Sequence, residues 1–154
     1  MKISALIGFI LLTAYTSPSL ADQSYSKTFT LTDSFGVSPF RVQNAFLRTE
    51  PFGTPVRYWQ PSAANVWGEV VYRFDLGFAA QTATTFMSVS AYTSGADVNF
   101  DNGAEAYVDI STDDVHYTNL LGKFPGNGGG AAGPGDISSF VSGSDVIFIR
   151  ARLL

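Results

Sequence analysis

The sequence contains no cysteine and a single histidine, His116. The lack of cysteine excludes disulfides, thiol catalysis and thiolate metal sites in one step. A serine triad would need His116 oriented beside a serine on a sharp Gly-x-Ser-x-Gly elbow, and the sequence has no such motif. We therefore interpret His116 as an exposed or half-buried strand histidine directly after a hairpin, and we expect a protein that is not an enzyme.

Charged residues are also scarce, at 14% of the chain, and no cluster of lysine and arginine occurs. The net charge is −4 with histidine counted as neutral. Nucleic acids and anionic lipids both favour clustered basic side chains. The composition therefore excludes both as the main partner.

The apolar run near the N-terminus is too short to cross a membrane. It covers residues 5–14, follows Lys2 and precedes small residues at Ser19 and Ala21. This order is that of a cleavable secretory signal over residues 1–21, whereas a membrane span needs about 20 apolar residues. We therefore expect a secreted protein, extracellular or periplasmic, with no permanent membrane anchor. A buried N-terminal strand or helix is the alternative interpretation.

The rest of the chain, residues 22–154, has the size of one domain and alternates short β-rich runs with turn clusters. Four runs alternate clearly, and residues 25–32 and 40–49 are weaker candidates. The clear strand predictions are 69–76, 84–93, 104–112 and 146–154. The pattern predicts an all-β sandwich, with Trp67 in its core.

Two connections are expected to be irregular. Residues 51–66 are rich in proline and aromatic side chains, and residues 126–135 are glycine-rich. We predict an irregular segment for the first and a flexible surface loop for the second.

The second half of the chain carries a recurring set of structural motifs. These are residues 71–76 (VYRFDL), 106–114 (AYVDISTDD) followed by Tyr117, 135–143 (GDISSFVSG) and 146–153 (VIFIRARL). Over residues 68–154 the chain resembles the galactose-binding-like jelly-roll domains of exported bacterial proteins. The resemblance implies an antiparallel jelly-roll β-sandwich and implies no particular ligand.

The residue types in two of these motifs suit the turns that the resemblance implies. Ser111 and the aspartates after it are suited to close a tight turn through side-chain hydrogen bonds to the backbone, and Asp136 is suited to cap a helical turn over residues 137–140. In such domains a further strand usually follows the Arg-x-Arg-Leu segment. We therefore expect residues 25–32 to complete the sheet edge, or the domain to lack a C-terminal strand.

A candidate ligand site lies in residues 51–61. Tyr58 and Trp59 are adjacent, so on an extended backbone their rings point in opposite directions. One ring can then anchor the segment while the other, beside Arg57 and Gln60, forms a platform for a sugar. The alternative is that both rings are buried.

A candidate metal site lies in residues 97–101. Asp97, Asn99 and Asp101 offer oxygen ligands at alternate positions, which suits a hard cation such as structural calcium, although the loop departs from the EF-hand pattern. An ordinary polar turn is the alternative. No other cofactor is expected.

Together these features favour a secreted, non-catalytic binding module for a glycan or another cell-surface polymer. The second hypothesis is a structural or adhesive protein of the surface or matrix that self-associates through the same fold. The third is a glycoside hydrolase, which would need two converging carboxylates, one of them with a raised pKa. The sequence does not determine the oligomeric state.

Overall fold

A computed structural model describes residues 4–15, 24–30, 38–50, 56–63, 65–93, 105–125, 127–132 and 135–154. These residues form strands and one short helix, which confirms the all-β prediction. The strands are β1 (Ser4–Tyr15), β2 (Ser24–Thr30), β3 (Arg41–Gln43), β4 (Ala45–Glu50), β5 (Val56–Pro61), β6 (Gly68–Asp75), β7 (Thr82–Thr93), β8 (Glu105–Ser111), β9 (Thr118–Pro125), β10 (Asn127–Ala132) and β11 (Val146–Leu153), and the helix is α1 (Ser138–Val141).

The strands make two antiparallel sheets. The first sheet has the order β10-β7-β1-β5-β4, with β2 also paired to β1, and the second has the order β3-β6-β11-β8-β9. β11 therefore lies inside the second sheet, between β6 and β8. β2 lies in the first sheet, so it does not extend the sheet that contains β11.

One apolar core lies between the sheets. Alternation turns one side of β6, β8 and β11 inward, as the sequence predicts. The buried residues of these strands on that side are Val70, Tyr72, Phe74, Ala106, Val108, Ile110, Ile147, Ile149, Ala151 and Leu153. Ala14, Trp59 and Ala83 join them from the first sheet. The Trp59 indole Nε1 donates a hydrogen bond to the Tyr72 hydroxyl at 3.0 Å, which ties the two sheets together.

β1 comes from the segment that the sequence predicts to be a signal peptide. In the structure of the full chain, Ser4–Tyr15 pairs with β7 along its whole length and with β2 over Phe9–Tyr15. Its one described pair with β5 joins Leu6 to Trp59. The full chain therefore uses this apolar run as an inner strand of the first sheet.

Three sequence expectations about irregular or buried parts are wrong. The segment 51–66 contains a regular strand, β5, because β4 pairs with it from Ala45 to Glu50. The glycine-rich segment contains β10, which pairs with β7 because ladder hydrogen bonds need only backbone. Trp67 is 40% exposed, because it precedes β6 and lies against Tyr107 on the outside of the second sheet.

The predicted strand over 40–49 is interrupted. It forms β3 and β4, separated by Asn44, whose φ of 49° is in the left-handed region. Asparagine tolerates that conformation better than most residues, so the chain passes there from the second sheet to the first.

The predicted helical turn after Asp136 is present one residue later, as α1. The Asp136 carboxylate accepts the backbone N–H of Ser138 at 2.8 Å. Hydrogen bonds from the Ser138 side chain and from its backbone N–H lower the pKa of Asp136. The Ser138 hydroxyl accepts the Ala83 N–H at 2.9 Å, which fixes the turn against the start of β7. Among the described residues no helix is both long and apolar enough to span a bilayer.

Candidate binding face

The surface of the second sheet that points away from the core is rich in arginine, carboxylate and aromatic side chains. We call it the outer face. Register places its residues in rows across the strands, and one row joins Arg41, Val71, Arg150, Asp109 and Asn119. The next row joins Gln43, Glu69, Arg152 and Tyr107. The alternation of β6, β8 and β11 predicts an outward side for their members of these rows, and the structure adds Arg41, Gln43 and Asn119 from β3 and β9.

Several hydrogen bonds of this face meet at the carboxylate of Asp109, which is 1% exposed. Arg152 donates to it from Nε at 2.6 Å and from Nη2 at 3.0 Å, and Arg150 donates from Nε at 3.0 Å. Asn119 Nδ2 donates at 3.0 Å. Burial alone would raise the pKa of Asp109, but the hydrogen bonds from Arg152 and Asn119 and the nearby guanidinium charges hold it below its usual value. The carboxylate therefore stays ionised.

A second set of ion pairs extends from Asp109 toward the edge strand β3. Arg150 Nη1 lies 3.3 Å from Glu69 Oε2, and Arg41 Nη2 lies 2.9 Å from Glu69 Oε1. Arg41 Nη1 in turn donates to Asp114 Oδ2 at 2.5 Å. Three arginines and three carboxylates thus alternate across the face, and their charges balance.

The hairpin between β8 and β9 folds onto this network. The Ser111 hydroxyl accepts the N–H groups of Asp113 and Asp114, both at 3.1 Å, and Asp114 has a φ of 61°. The turn predicted for this segment is confirmed. The Tyr117 hydroxyl donates to Asp114, and the guanidinium carbon of Arg150 lies 3.7 Å from the centre of the Tyr117 ring.

His116 lies at the tip of the same hairpin, with its side chain 85% exposed. Its Nδ1 is 2.6 Å from Asp113 Oδ2. The hydrogen bonds from the His116 ring and from the backbone N–H groups of His116 and Val115 hold the pKa of Asp113 well below its usual range. His116 is thus exposed, as the sequence indicates, but it lies in the turn before β9 and not in a strand.

An aromatic cluster occupies one end of the outer face. The rings of Trp67 and Tyr107 are 5.7 Å apart between centroids. The Arg152 guanidinium lies 4.8 Å from the Tyr107 ring centre and 5.6 Å from that of Trp67. We call these three residues the Trp67 patch. Because Arg152 is held by Asp109, the patch is fixed in position.

A similar cluster lies at the other end. The rings of Phe40 and Phe148 meet edge to face at 5.7 Å. The Arg73 guanidinium lies 5.8 Å from the Phe40 centroid and 5.9 Å from that of Phe148, and it is held by Asp75 at 2.7 Å. We call Phe40, Phe148 and Arg73 the Phe40 patch. Phe40 is 51% exposed.

The structure describes two of the four predicted ligand side chains, and both are buried. Trp59 and Gln60 are buried, at 6% and 4% exposure, and Gln60 Oε1 accepts from Arg48 Nη1 at 3.4 Å. Trp59 is therefore a core residue, because its position in β5 faces the second sheet, and it offers no ring to a stacked sugar. The side chains of Arg57 and Tyr58 lie outside the described part of the structure, so their role in binding stays a prediction.

The predicted calcium ligands Asp97, Asn99 and Asp101 lie outside the described residues. Within the described ranges, no group of three or more His, Asp or Glu side chains is arranged to hold a metal ion. Calcium binding at residues 97–101 therefore stays a prediction.

The comparisons with known proteins found no similar protein. A scan against protein-family models, a search of curated proteins and a search of solved structures each returned no match. The functional interpretation therefore depends on the residues of this chain. Sequence reasoning placed Trp67 in the core and assigned no face to the weaker strand candidate 40–49, so it missed the exposed rings of Trp67 and Phe40.

Proposed function

We propose that this chain is an exported, non-catalytic binding module that binds a neutral glycan or another cell-surface polymer through its outer face. The signal-like residues 1–21 support export. The two antiparallel sheets around one core support a jelly-roll sandwich of the galactose-binding-like kind, since such a fold is built from two packed antiparallel sheets.

The Trp67 patch carries the proposal. An aromatic ring buries the apolar face of a bound ring, while neighbouring polar groups fix its orientation. Trp67 is exposed, and Arg152 and Tyr107 stand beside it with hydrogen-bonding atoms held by Asp109 and by Glu105, the latter at 2.9 Å from the Tyr107 hydroxyl. Side chains that are already fixed lose little entropy on binding. This combination suits a hydroxyl-rich ring.

The charges of the outer face favour a neutral ligand and a binding role. Each carboxylate in the alternating network is paired with an arginine, so an anionic or cationic ligand would have to break pairs that already exist. A general acid needs a carboxyl whose pKa is raised toward neutrality. The pKa of Asp109 is shifted in the opposite direction, so Asp109 is unsuited to that role.

A glycan array with a matched pair of variants tests the proposal. Trp67→Ala removes an aromatic ring that is 40% exposed on the outer face. Phe140→Ala removes one of equal exposure on α1. We expect the wild type and Phe140→Ala to bind the same glycans, and Trp67→Ala to lose at least tenfold in affinity with an unchanged circular dichroism spectrum. Equal binding by all three proteins, or binding by none, would overturn the proposal.

The second candidate is a structural or adhesive protein that self-associates. It is favoured by the strands β3 and β4, each of which pairs with one neighbour only among the described residues. Val42 and Phe46 on these strands are exposed, and open apolar edges promote pairing between chains. Concentration-dependent assembly in ultracentrifugation, without binding to any glycan, would favour this function.

A further inference from the structure

We infer that the outer face binds an extended oligosaccharide chain across both aromatic patches, and not a single sugar ring. This inference rests on the proposed function and names the size of ligand that the site takes.

The register of β11 sets the separation of the two patches. Phe148 belongs to the Phe40 patch and Arg152 to the Trp67 patch. Because they are an even number of residues apart in β11, both lie on the same side of this strand, which is the outer one. Four residues of an antiparallel strand span about 13 Å. One sugar ring is too small to contact both patches, whereas a chain of several rings is long enough.

The two patches are chemically alike. Each combines one exposed aromatic residue, one partner ring and one guanidinium that is held by a carboxylate. Successive units of a polysaccharide repeat the same chemistry along their length. A ligand made of repeating sugar units can therefore make the same type of contact at both ends of the outer face.

The surface between the patches is polar and balanced in charge. Arg41, Glu69 and Arg150 lie there, joined to one another, and Tyr117 covers Arg150. A protein partner of similar length would favour a continuous apolar centre surrounded by a polar rim. Here the apolar groups stand at the two ends with hydrogen-bonding groups between them. This order fits a neutral, hydroxyl-rich chain better.

Calorimetry with oligosaccharide ladders tests the inference. The probes are unbranched oligomers of glucose, N-acetylglucosamine and galactose, each from one to six units. For the wild type we expect affinity in at least one ladder to rise by about tenfold or more once the oligomer reaches both patches, because the second contact becomes intramolecular. Phe40→Ala should lose that increase and keep the affinity for the shortest oligomers that bind.

The controls separate this inference from the proposed function. Phe140→Ala should reproduce the wild-type dependence on length, and thermal unfolding should show that Phe40→Ala is folded. Binding that does not depend on length, or a dependence on length that Phe40→Ala leaves intact, would overturn the inference while the proposed function stands. No binding in any ladder, together with a negative glycan array, would overturn both.

Discussion

At the scale of the residue, Asp109 is a charged side chain of the outer face that is only 1% exposed. Its carboxylate accepts hydrogen bonds from Arg150, Arg152 and Asn119. In Asp109→Asn the partly buried guanidinium of Arg152 loses its carboxylate partner, and that of Arg150 is left with Glu69. We expect a loss of about 3 kcal/mol in the free energy of unfolding, as is typical when one partner of a buried ion pair is removed. Urea denaturation measures this loss.

Asp75→Asn is the matched control, because Asp75 pairs with Arg73 at the surface, where such pairs contribute about 0–1 kcal/mol. Acid titration adds a second test. The folded pKa of Asp109 is depressed, so its stabilising contribution is present above its unfolded pKa of about 4 and is lost as the pH falls through the folded pKa. The stability of Asp109→Asn should therefore fall less in acid than that of the wild type. Equal loss in acid would contradict this account.

At the scale of the element, β6 begins at Gly68, which lies against the backbone of Asn44 and Pro61. A Cβ on Gly68 would lie 2.9 Å from the Asn44 carbonyl oxygen and 3.3 Å from the Pro61 Cα. Because backbone atoms yield less easily than side-chain ends, Gly68→Ala should lower the free energy of unfolding by about 1–3 kcal/mol. Chemical denaturation measures the change. Gly135→Ala, which meets nothing within 4 Å, should be close to neutral, and an equal cost for both substitutions would refute the steric explanation.

Strand alternation predicted β6, β8 and β11 and their inward faces closely, because period-two patterns are a local property of the chain. It did not predict that the outward residues Val71 and Phe148 are also buried. Arg41 and Arg150 flank Val71 in the register of the sheet, and Phe40 and Arg73 lie against Phe148. Which strands are neighbours depends on topology. β10 was missed for the same reason, since it is a strand through pairing with the distant β7. β5 was missed although its main partner, β4, directly precedes it in the chain.

At the scale of the whole molecule, residues 4–15 form β1 and are also part of the proposed signal peptide, and these two roles exclude each other in one chain. As β1 they pair with β7 and β2, and as part of a signal they would be removed after Ala21. We expect the protein exported by a bacterial host to begin at Asp22. Intact mass and N-terminal sequencing of the exported protein measure this.

Substitution at the cleavage position provides the control for export. Ala21→Leu should slow processing, because the position before the cut requires a small side chain. Leu20→Val should leave it unchanged. An exported, folded protein that keeps residues 1–21 would contradict the signal peptide proposal and favour a lasting role for β1.

The sequence by itself determined the all-β class, the inward faces of the clear strands and the turn closed by Ser111, because these follow from contacts between residues close in the chain. Only the tertiary structure decided that Trp59 lies in the core and that Trp67 lies outside it. It also decided that Arg41, Glu69, Arg150, Asp109 and Arg152 form one network. Those facts depend on strand order and register, which bring together residues up to 111 positions apart, such as Arg41 and Arg152.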